Sequence, residues 1–268
     1  MRKTKALIAA AAVLAFVWLL GASPASAWQK PPLDKIVDLT NVLNDKIPGF
    51  WEPREEYFSH KIIANYEGGF HVGVLKAVEH YGTHIDAPTH RVEGKHLGFL
   101  EDIPLSRLLF VPAVVIDVSA KAEKDNDYRL SVDDIKAWEK KYGRIPKGAY
   151  VLMNSGWGKR WFAPEKYNNK DEQGRMHFPG ISKEACEFLV KERDINGVGT
   201  DVYCPDYGLD FSANVWPSHQ VLLGAGKLIV EQIQNLDKLP PKGATLLICP
   251  LRVEGASGGQ VRLLAILP

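Results

Sequence analysis

Apolar and polar positions along the chain fall into blocks that predict short buried strands separated by helices. Val111 to Val118 is a nearly continuous apolar run of eight residues, which is typical of a strand buried on both faces. Ala149 to Met153 and Gly197 to Asp201 predict two further strands. Ala244 to Leu251 and Val261 to Leu267 predict the last two, with a glycine-serine turn at residues 255–259 between them. Earlier strands are predicted at residues 35–40, 60–64 and 69–78.

The segments between these strands carry helix signals. Ser131 opens a helix in which Asp134 takes the third position of a capping box and Trp138 belongs to the apolar stripe. Ser182 caps the next helix. The stretch 154–170 is polar and aromatic, and it predicts a long excursion between these elements. Because helices alternate with buried strands, the predicted fold class is α/β.

The first 27 residues carry a different pattern. A basic start at residues 2–5 is followed by a continuous apolar run from Ala6 to Leu20, and residues 25–27 read Ala-Ser-Ala. This order predicts a secretory signal peptide, and therefore a secreted or periplasmic protein with no stable membrane association after cleavage. A retained membrane anchor is the alternative, although the run is shorter than the ~20 residues that a membrane span needs.

The remaining residues, 28–268, are predicted to form one domain, because a chain of this length buries a single large core. They contain 30 Lys and Arg against 32 Asp and Glu, without the clustered basic charge of a nucleic-acid surface. The cysteines, Cys186, Cys204 and Cys249, are odd in number and their spacing selects no disulfide pair. Burial as small apolar residues is favoured for Cys186 and Cys249, and a nucleophilic role for Cys204 has weak support.

The most informative stretch is residues 80–90, which read His-Tyr-Gly-Thr-His-Ile-Asp-Ala-Pro-Thr-His. Its three imidazoles and one carboxylate all stand at even positions: His80, His84, Asp86 and His90. Side chains alternate along an extended chain, so these four are expected to share one side of a strand that runs into a tight loop. A helix is disfavoured, because glycine and proline both interrupt the stretch.

That face predicts a metal site, since neutral imidazoles and a carboxylate suit Zn²⁺ or Mn²⁺ and not sulfur-preferring ions. A lone histidine is usually a structural group, but three histidines and an aspartate in even register are hard to obtain by chance. His60, His71 and His96 lack this register and are not predicted as ligands. Asp201 has two possible roles, support of the metal site from behind its ligands or capping of a loop.

The eleven-residue pattern, H-x-G-T-H-x-D-x-P-x-H, resembles the signature of the cyclase-like metal-dependent hydrolases, which include bacterial kynurenine formamidase and isatin hydrolase. Every defining position is present, and the resemblance extends over nearly the whole mature chain. It implies a compact swivelling β/β/α fold around a mixed central sheet or flattened barrel. It also implies homo-oligomers, either dimers or tetramers.

A second block, His219 and Glu231 twelve residues apart, resembles the distal ligands of the formamidases. The local pattern predicts a short helix, a glycine turn and then a strand that ends at Glu231. His80, His84 and Asp86 are the expected ligands of a first metal. His219 and Glu231 allow a second, with Asp86 and Glu231 bridging, and a single-metal site with Glu231 as an outer-shell base is the alternative. The segments 143–146 and 152–157 look closer to isatin hydrolase, whose subgroup carries Gln in place of Glu231. One or two Zn²⁺ ions are therefore expected, with Mn²⁺ as the alternative.

These residues predict a hydrolase that cleaves the C–N bond of a cyclic amide or an aryl formamide, with a metal-bound hydroxide as the nucleophile. The resemblance implies that His90 is the general acid and base. Phe50 and Trp51, two aromatic residues in a predicted loop, are expected to form a wall of the substrate pocket. Two alternatives remain open: a metal-dependent cyclase or lyase acting on a small carbonyl compound, and an exported metal- or ligand-binding protein without turnover.

Overall fold

A computed structural model describes residues 31–49, 54–93 and 98–268, so the predicted signal peptide and the pair Phe50 and Trp51 lie outside the described residues. Asp34–Pro268 form one compact unit. The strands are β1 (Ile36–Asp38), β2 (Phe58–Ala64), β3 (Val72–Ala77), β4 (His84–Asp86), β5 (Leu109–Asp117), β6 (Arg129–Leu130), β7 (Tyr150–Asn154), β8 (Gly180–Ile181), β9 (Gly197–Thr200), β10 (Leu228–Glu231), β11 (Lys242–Pro250) and β12 (Gly258–Ile266).

The helices of the described residues are short and lie between the strands. They are α1 (Arg54–Tyr57), α2 (Ser119–Ala122), α3 (Val132–Tyr142), α4 (Pro164–Asn168), α5 (Lys183–Phe188), α6 (Gly208–Ser212) and α7 (Pro217–Gly224). A π-helical turn, Leu189–Arg193, continues α5. In the described ranges no helix combines the length and the apolar character that a membrane span requires.

Seven strands close into a barrel, in the order β12, β11, β5, β7, β9, β10, β4 and back to β12. Three neighbouring pairs are parallel, β5 with β7, β7 with β9 and β9 with β10, and the remaining pairs of the barrel are antiparallel. β1 adds to β12 at one side, and β2 and β3 form a separate antiparallel hairpin. The predicted α/β class with a mixed central sheet is confirmed.

Alternate residues of the barrel strands supply two cores, as the period of two requires. Val111, Ala113 and Val115 of β5 belong to the core that includes Leu39 and Ile85. Val114 and Ile116 turn to the opposite face and belong to the second core, to which the helices contribute. The second half of β5 is therefore buried on both faces, as predicted for the apolar run, whereas Phe110 and Pro112 are exposed.

The predicted helix starts are confirmed by their hydrogen bonds. The Ser131 hydroxyl accepts from the Asp134 amide at 3.2 Å, and the Asp134 carboxylate accepts from the Ser131 amide at 2.8 Å. The Ser182 hydroxyl accepts from the Ala185 amide at 3.1 Å. The predicted helix, glycine turn and strand of the second block are also present, as α7, Gly226 and β10.

Two local predictions are wrong, and the predicted excursion at residues 154–170 is packed into the protein. Trp157, Trp161 and Tyr167 of this stretch are buried in the core beside the helices. The turn between the last two strands ends earlier than predicted, since Gly258 already belongs to β12. Cys249 is exposed, because its position on β11 turns its side chain outward, whereas Cys186 is buried as expected.

Candidate metal centre

Strand β4 carries two of the predicted ligands at the point where the barrel closes. His84 and Asp86 are two residues apart on this strand, so they point to the same side, and both are buried. The antiparallel register of β4 and β10 places Glu231 directly opposite His84. Glu231 Oε2 lies 3.3 Å from His84 Nε2. The register of the sheet therefore brings the motif at residues 80–90 next to Glu231, which belongs to the second block of predicted ligands.

His219 reaches the same point from the first turn of α7. Its Nε2 atom lies 3.4 Å from Asp86 Oδ2 and 3.3 Å from Glu231 Oε1. The side chain of His219 is buried, as are those of the two carboxylates. Two imidazoles and two carboxylates from two strands and a helix therefore converge on one volume.

Hydrogen bonds on the outer side of both imidazoles fix which nitrogen faces the centre. His84 Nδ1 lies 2.7 Å from the Gly82 carbonyl oxygen, which can only accept, so Nδ1 carries the proton. His219 Nδ1 donates to the Asp206 carboxylate in the same way. Each ring in its neutral form then directs the lone pair of Nε2 at the centre, as metal-ligating histidines do.

The polar atoms at the centre are not satisfied by the protein. His84 Nε2, Asp86 Oδ2 and Glu231 Oε1 are buried and have no hydrogen-bond partner among the described residues. Burial lowers the pKa of His84, but the adjacent carboxylates of Asp86 and Glu231 outweigh burial and raise that pKa to about 10. The two buried carboxylates therefore favour a positive charge at the centre. A dication with nitrogen and oxygen ligands would supply it, so the residues present fit a bound metal.

His80 joins the centre from a turn and not from the strand. Its Nδ1 lies 2.7 Å from Asp86 Oδ1, and one ligand atom each of His80, His84 and Asp86 lie within 4.8 Å of one another. The prediction that four side chains share one face of an extended strand is therefore wrong in its geometry. Only His84 and Asp86 lie on one face of an extended strand, because Gly82 bends the chain before them with a φ of +72°.

His90 reaches the centre from the other side, at the end of the 3-10 turn Pro88–His90. Its ring centroid lies 3.8 Å from that of His80 and 5.8 Å from that of His219. Within the described ranges its ring nitrogens have no hydrogen-bond partner. Burial, together with the neighbouring His80, His219 and Arg91, lowers the pKa of His90 to about 3, although Asp86 acts in the opposite direction. His90 is therefore an uncharged imidazole at neutral pH.

A cavity of about 470 Å³ opens above these residues. Its polar end holds four of the predicted site residues, His80, His90, His219 and Glu231. Its apolar wall comes from three aromatic side chains, Tyr203, Phe211 and Trp216. The cavity has the size and the mixed lining that are typical of a small-molecule site.

A model of the protein family described as "Putative cyclase" matches residues 37–207, which is well over half of the chain. The chain belongs to the cyclase family. This match contains the whole eleven-residue signature, and α7 and β10 extend the centre beyond it. The metal centre of this cyclase-family chain thus draws on residues inside and outside the matched part.

Individual relatives agree with the family. The chain is similar to an isatin hydrolase of Roseibium aggregatum, with 35% identity over 245 residues that cover 87% of this chain and 92% of the relative. The solved structure of isatin hydrolase A from Labrenzia aggregata superposes with a TM-score of 0.79 and 36% identity, covering 87% of this chain and 93% of that chain. A kynurenine formamidase of Geobacillus thermodenitrificans is 27% identical over 84% of this chain and 94% of its own length.

Two supports of the cyclase-family centre were not predicted from the sequence. Asp206 orients His219 by accepting the hydrogen bond from its Nδ1 atom. In the sequence, Asp206 is marked only as a carboxylate that follows Pro205. Ser257 holds His80, with its hydroxyl 3.0 Å from His80 Nε2 and donating to Glu79 at 2.7 Å. Sequence analysis treated Ser257 only as part of a glycine-serine turn.

The structure also bears on Asp201 and on the nucleophilic role considered for Cys204. The Asp201 carboxylate accepts hydrogen bonds from the amides of Ser155 at 3.1 Å and Gly158 at 3.2 Å, so it caps a loop and does not support the metal ligands. Cys204 is buried, and burial raises the pKa of its thiol well above the usual value. A buried thiol of this kind is a poor nucleophile.

Proposed function

We propose that this chain is a metal-dependent hydrolase that cleaves the C–N bond of a cyclic amide or an aryl formamide. The observation that carries the proposal is the buried centre, in which the Nε2 lone pairs of His84 and His219 meet the carboxylates of Asp86 and Glu231 without other partners. The names of the isatin hydrolase and kynurenine formamidase relatives support this bond type. The aromatic wall of the cavity supports an aryl substrate.

The residues that would hold the first cation are His80, His84 and Asp86, and His219 with Glu231 would complete its shell or hold a second cation. Zn²⁺ is our first choice and Mn²⁺ the second, since imidazole and carboxylate ligands suit both. When bound, a dication of this kind lowers the pKa of a coordinated water and polarises the amide carbonyl. Asp206 and the Gly82 carbonyl contribute by keeping both imidazoles oriented.

His90 is the proposed general base and acid. Its ring packs against that of His80 and lines the cavity, so one of its nitrogens can face the substrate and accept a proton. The same proton can then pass to the departing nitrogen of the substrate. Partial burial of the centre limits competing proton exchange with bulk water.

The test combines metal content with turnover. Residues 28–268 are purified, reconstituted with Zn²⁺ or Mn²⁺, analysed by elemental mass spectrometry and assayed on isatin and N-formylkynurenine. We expect one or two bound ions and ring opening or deformylation, with His90→Ala losing about 10²–10⁴-fold in kcat while retaining its metal. Absence of bound metal after reconstitution, or of any amide hydrolysis, would contradict the proposal.

We also propose that the protein is exported and works outside the cytoplasm, free of the membrane. The support is the sequence of residues 1–27, with its basic start, apolar run and small-residue cleavage site. Cell fractionation followed by N-terminal sequencing checks this. A mature protein that begins at Trp28 in the soluble extracytoplasmic fraction agrees with the proposal, whereas a membrane-bound chain that still contains residue 1 contradicts it.

A homo-oligomer, either a dimer or a tetramer, is the proposed assembly. The β2–β3 hairpin supports it, because Ile63, Tyr66, Phe70 and Leu75 are 65%, 80%, 58% and 54% exposed. An exposed apolar surface of this kind usually marks an interaction site. Sedimentation of wild type and Ile63→Lys is the check: we expect the variant to sediment as a smaller species, and a monomeric wild type would overturn the proposal.

A further inference from the structure

Arg91 places a positive charge at the aromatic wall of the active-site cavity. It follows His90 directly in the chain, lines the cavity and is exposed to solvent. Its guanidinium carbon lies 3.9 Å from the centroid of the Trp216 ring. In the described part of the chain this guanidinium has no carboxylate partner and donates no hydrogen bond. Among the described residues, therefore, no carboxylate is paired with this permanent cation at the cavity.

The indole beneath Arg91 is held in place from three directions. The Trp216 ring N–H donates to Asn214 Oδ1 at 2.8 Å. The Phe211 ring packs edge-on against the indole, with centroids 5.3 Å apart. The ring of His219 packs edge-on against it as well, with centroids 5.5 Å apart. Arg91 thus rests on a fixed platform, and stacking leaves the N–H groups at the edge of the guanidinium plane free to bind.

The same packing fixes where Arg91 stands relative to the metal centre. One aromatic side chain, Trp216, separates the guanidinium from the predicted ligand His219. A substrate with its amide at the centre and its ring along the aromatic wall would bring a substituent of that ring to Arg91. Because a bound dication would offset the charges of Asp86 and Glu231, the cavity mouth would keep a net positive charge.

We propose that Arg91 is a specificity-determining residue that selects aromatic amides bearing a carboxylate on the ring, away from the bond that is cleaved. This inference rests on the proposed amide hydrolysis and names its substrate class. The carboxylate receives charge-assisted hydrogen bonds from the guanidinium, which favour planar anions over neutral groups of the same shape. An additional effect of the positive charge is to speed the approach of anionic substrates.

Matched substrate pairs test this inference. The metal-loaded protein is assayed on 3- and 4-formamidobenzoate against the corresponding formamidobenzamides, and on isatin-5-carboxylate against isatin-5-carboxamide. The members of each pair have nearly the same size and shape and differ in charge, so the change in the ratio of their kcat/KM values between wild type and an Arg91 variant reports recognition of the charge. We expect wild type to prefer the acid by about tenfold or more in at least one pair, mainly through KM, and to lose part of this preference at high salt.

Two substitutions of Arg91 and one control locate the effect. Arg91→Gln should bring the ratio to about one, and Arg91→Lys should keep part of the preference, because it retains the charge but not the planar fork. Arg160 is the matched control, since its guanidinium carbon stacks 3.6 Å from the Trp157 ring, outside the cavity. Arg160→Gln should retain the wild-type ratio.

The outcomes separate this inference from the proposed function. Hydrolysis of both members of every pair at similar rates would overturn the role of Arg91 and leave the amidohydrolase proposal intact. An acid preference that persists in Arg91→Gln would overturn it as well. Failure of wild type to hydrolyse any member of any pair, with metal bound, would contradict the proposed function itself.

Discussion

Glu231 faces His84 across the antiparallel pair of β10 and β4, with its Oε2 atom 3.3 Å from His84 Nε2. The two residues are far apart in sequence, and the strand register alone determines their separation. A site built on paired strands is held more rigidly than one built on loops. The distance between the two predicted metal ligands is therefore a property of the barrel.

Glu231→Gln removes one negative charge from the centre while preserving the size of the side chain. We expect metal affinity to fall about 10- to 100-fold, with loss of the second equivalent first if two ions bind. Competition with a chromophoric chelator measures the affinity. Glu184→Gln, on the exposed side of α5, is the control, and equal affinities for the two variants would remove Glu231 from the ligand set.

Asp206→Asn separates two tasks of one carboxylate. Its Oδ1 atom accepts from the Ser218 amide at 2.6 Å at the start of α7, which asparagine can still do. Its Oδ2 atom accepts from His219 Nδ1, which an amide nitrogen cannot do. Metal affinity should therefore fall about 10-fold or more with little change in melting temperature. Asp210→Asn, on α6, serves as the control, and unchanged affinity in Asp206→Asn would argue against its role.

His177 is expected to make the stability of the fold depend on pH through contacts that lie outside the metal centre. It lies 2.7 Å from Asp127 and 3.2 Å from Asp171, and the hydrogen bond to Asp127, helped by Asp171, raises the pKa of His177 above its ordinary 6.5. A raised pKa means that the protonated form stabilises the fold. This stability is present in full below the unfolded-state pKa and is lost as pH rises through the folded-state pKa.

His177→Gln should therefore cost more stability at about pH 6 than at about pH 9. The side chain is partly exposed, so we expect a difference below about 1 kcal/mol. Urea unfolding of both proteins at the two pH values measures it. A cost that grows with pH would show that the ion pairs of His177 do not govern its contribution.

Gly82→Ala tests the turn that delivers His80. Gly82 has a φ of +72°, and an added Cβ atom would lie 2.1 Å from Leu43 Cδ2. We expect a cost of about 2 kcal/mol or more, together with weaker metal binding because the Gly82 carbonyl orients His84. Gly255→Ala is the matched control, since its φ is +73° but nothing lies within 4 Å of the added atom. Equal melting temperatures for the two variants would exclude the clash.

The sequence was most informative where local physics dominates. Each of two helices begins where a serine side chain accepts a hydrogen bond from the amide three residues later, Ser131 from Asp134 and Ser182 from Ala185. Because this interaction is local, the sequence alone predicted both helix starts. The helix, turn and strand around His219 and Glu231 follow from glycine placement and apolar runs. The residue types of the centre were also readable, because few other roles collect so many histidines and carboxylates in eleven residues.

Long-range packing is what the sequence did not reveal. The sequence predicted the stretch that contains Trp157 only as a polar and aromatic excursion, and the burial of its aromatic side chains is set by the tertiary fold. Asp206 contacts His219 across twelve intervening residues, and neither residue marks the other in sequence. The exposure of Cys249 depends on which face of β11 turns outward, and that is set by neighbouring strands.

The closure of the barrel has a consequence for biosynthesis. β4 pairs with β10 on one edge and with β12 on the other. A nascent chain therefore cannot pair both edges of the strand that carries His84 and Asp86 until β12 has left the ribosome. Stable capture of the metal would consequently wait for the synthesis of β12, and a chain truncated before Gly258 should bind the metal more weakly even though every proposed ligand has been synthesised.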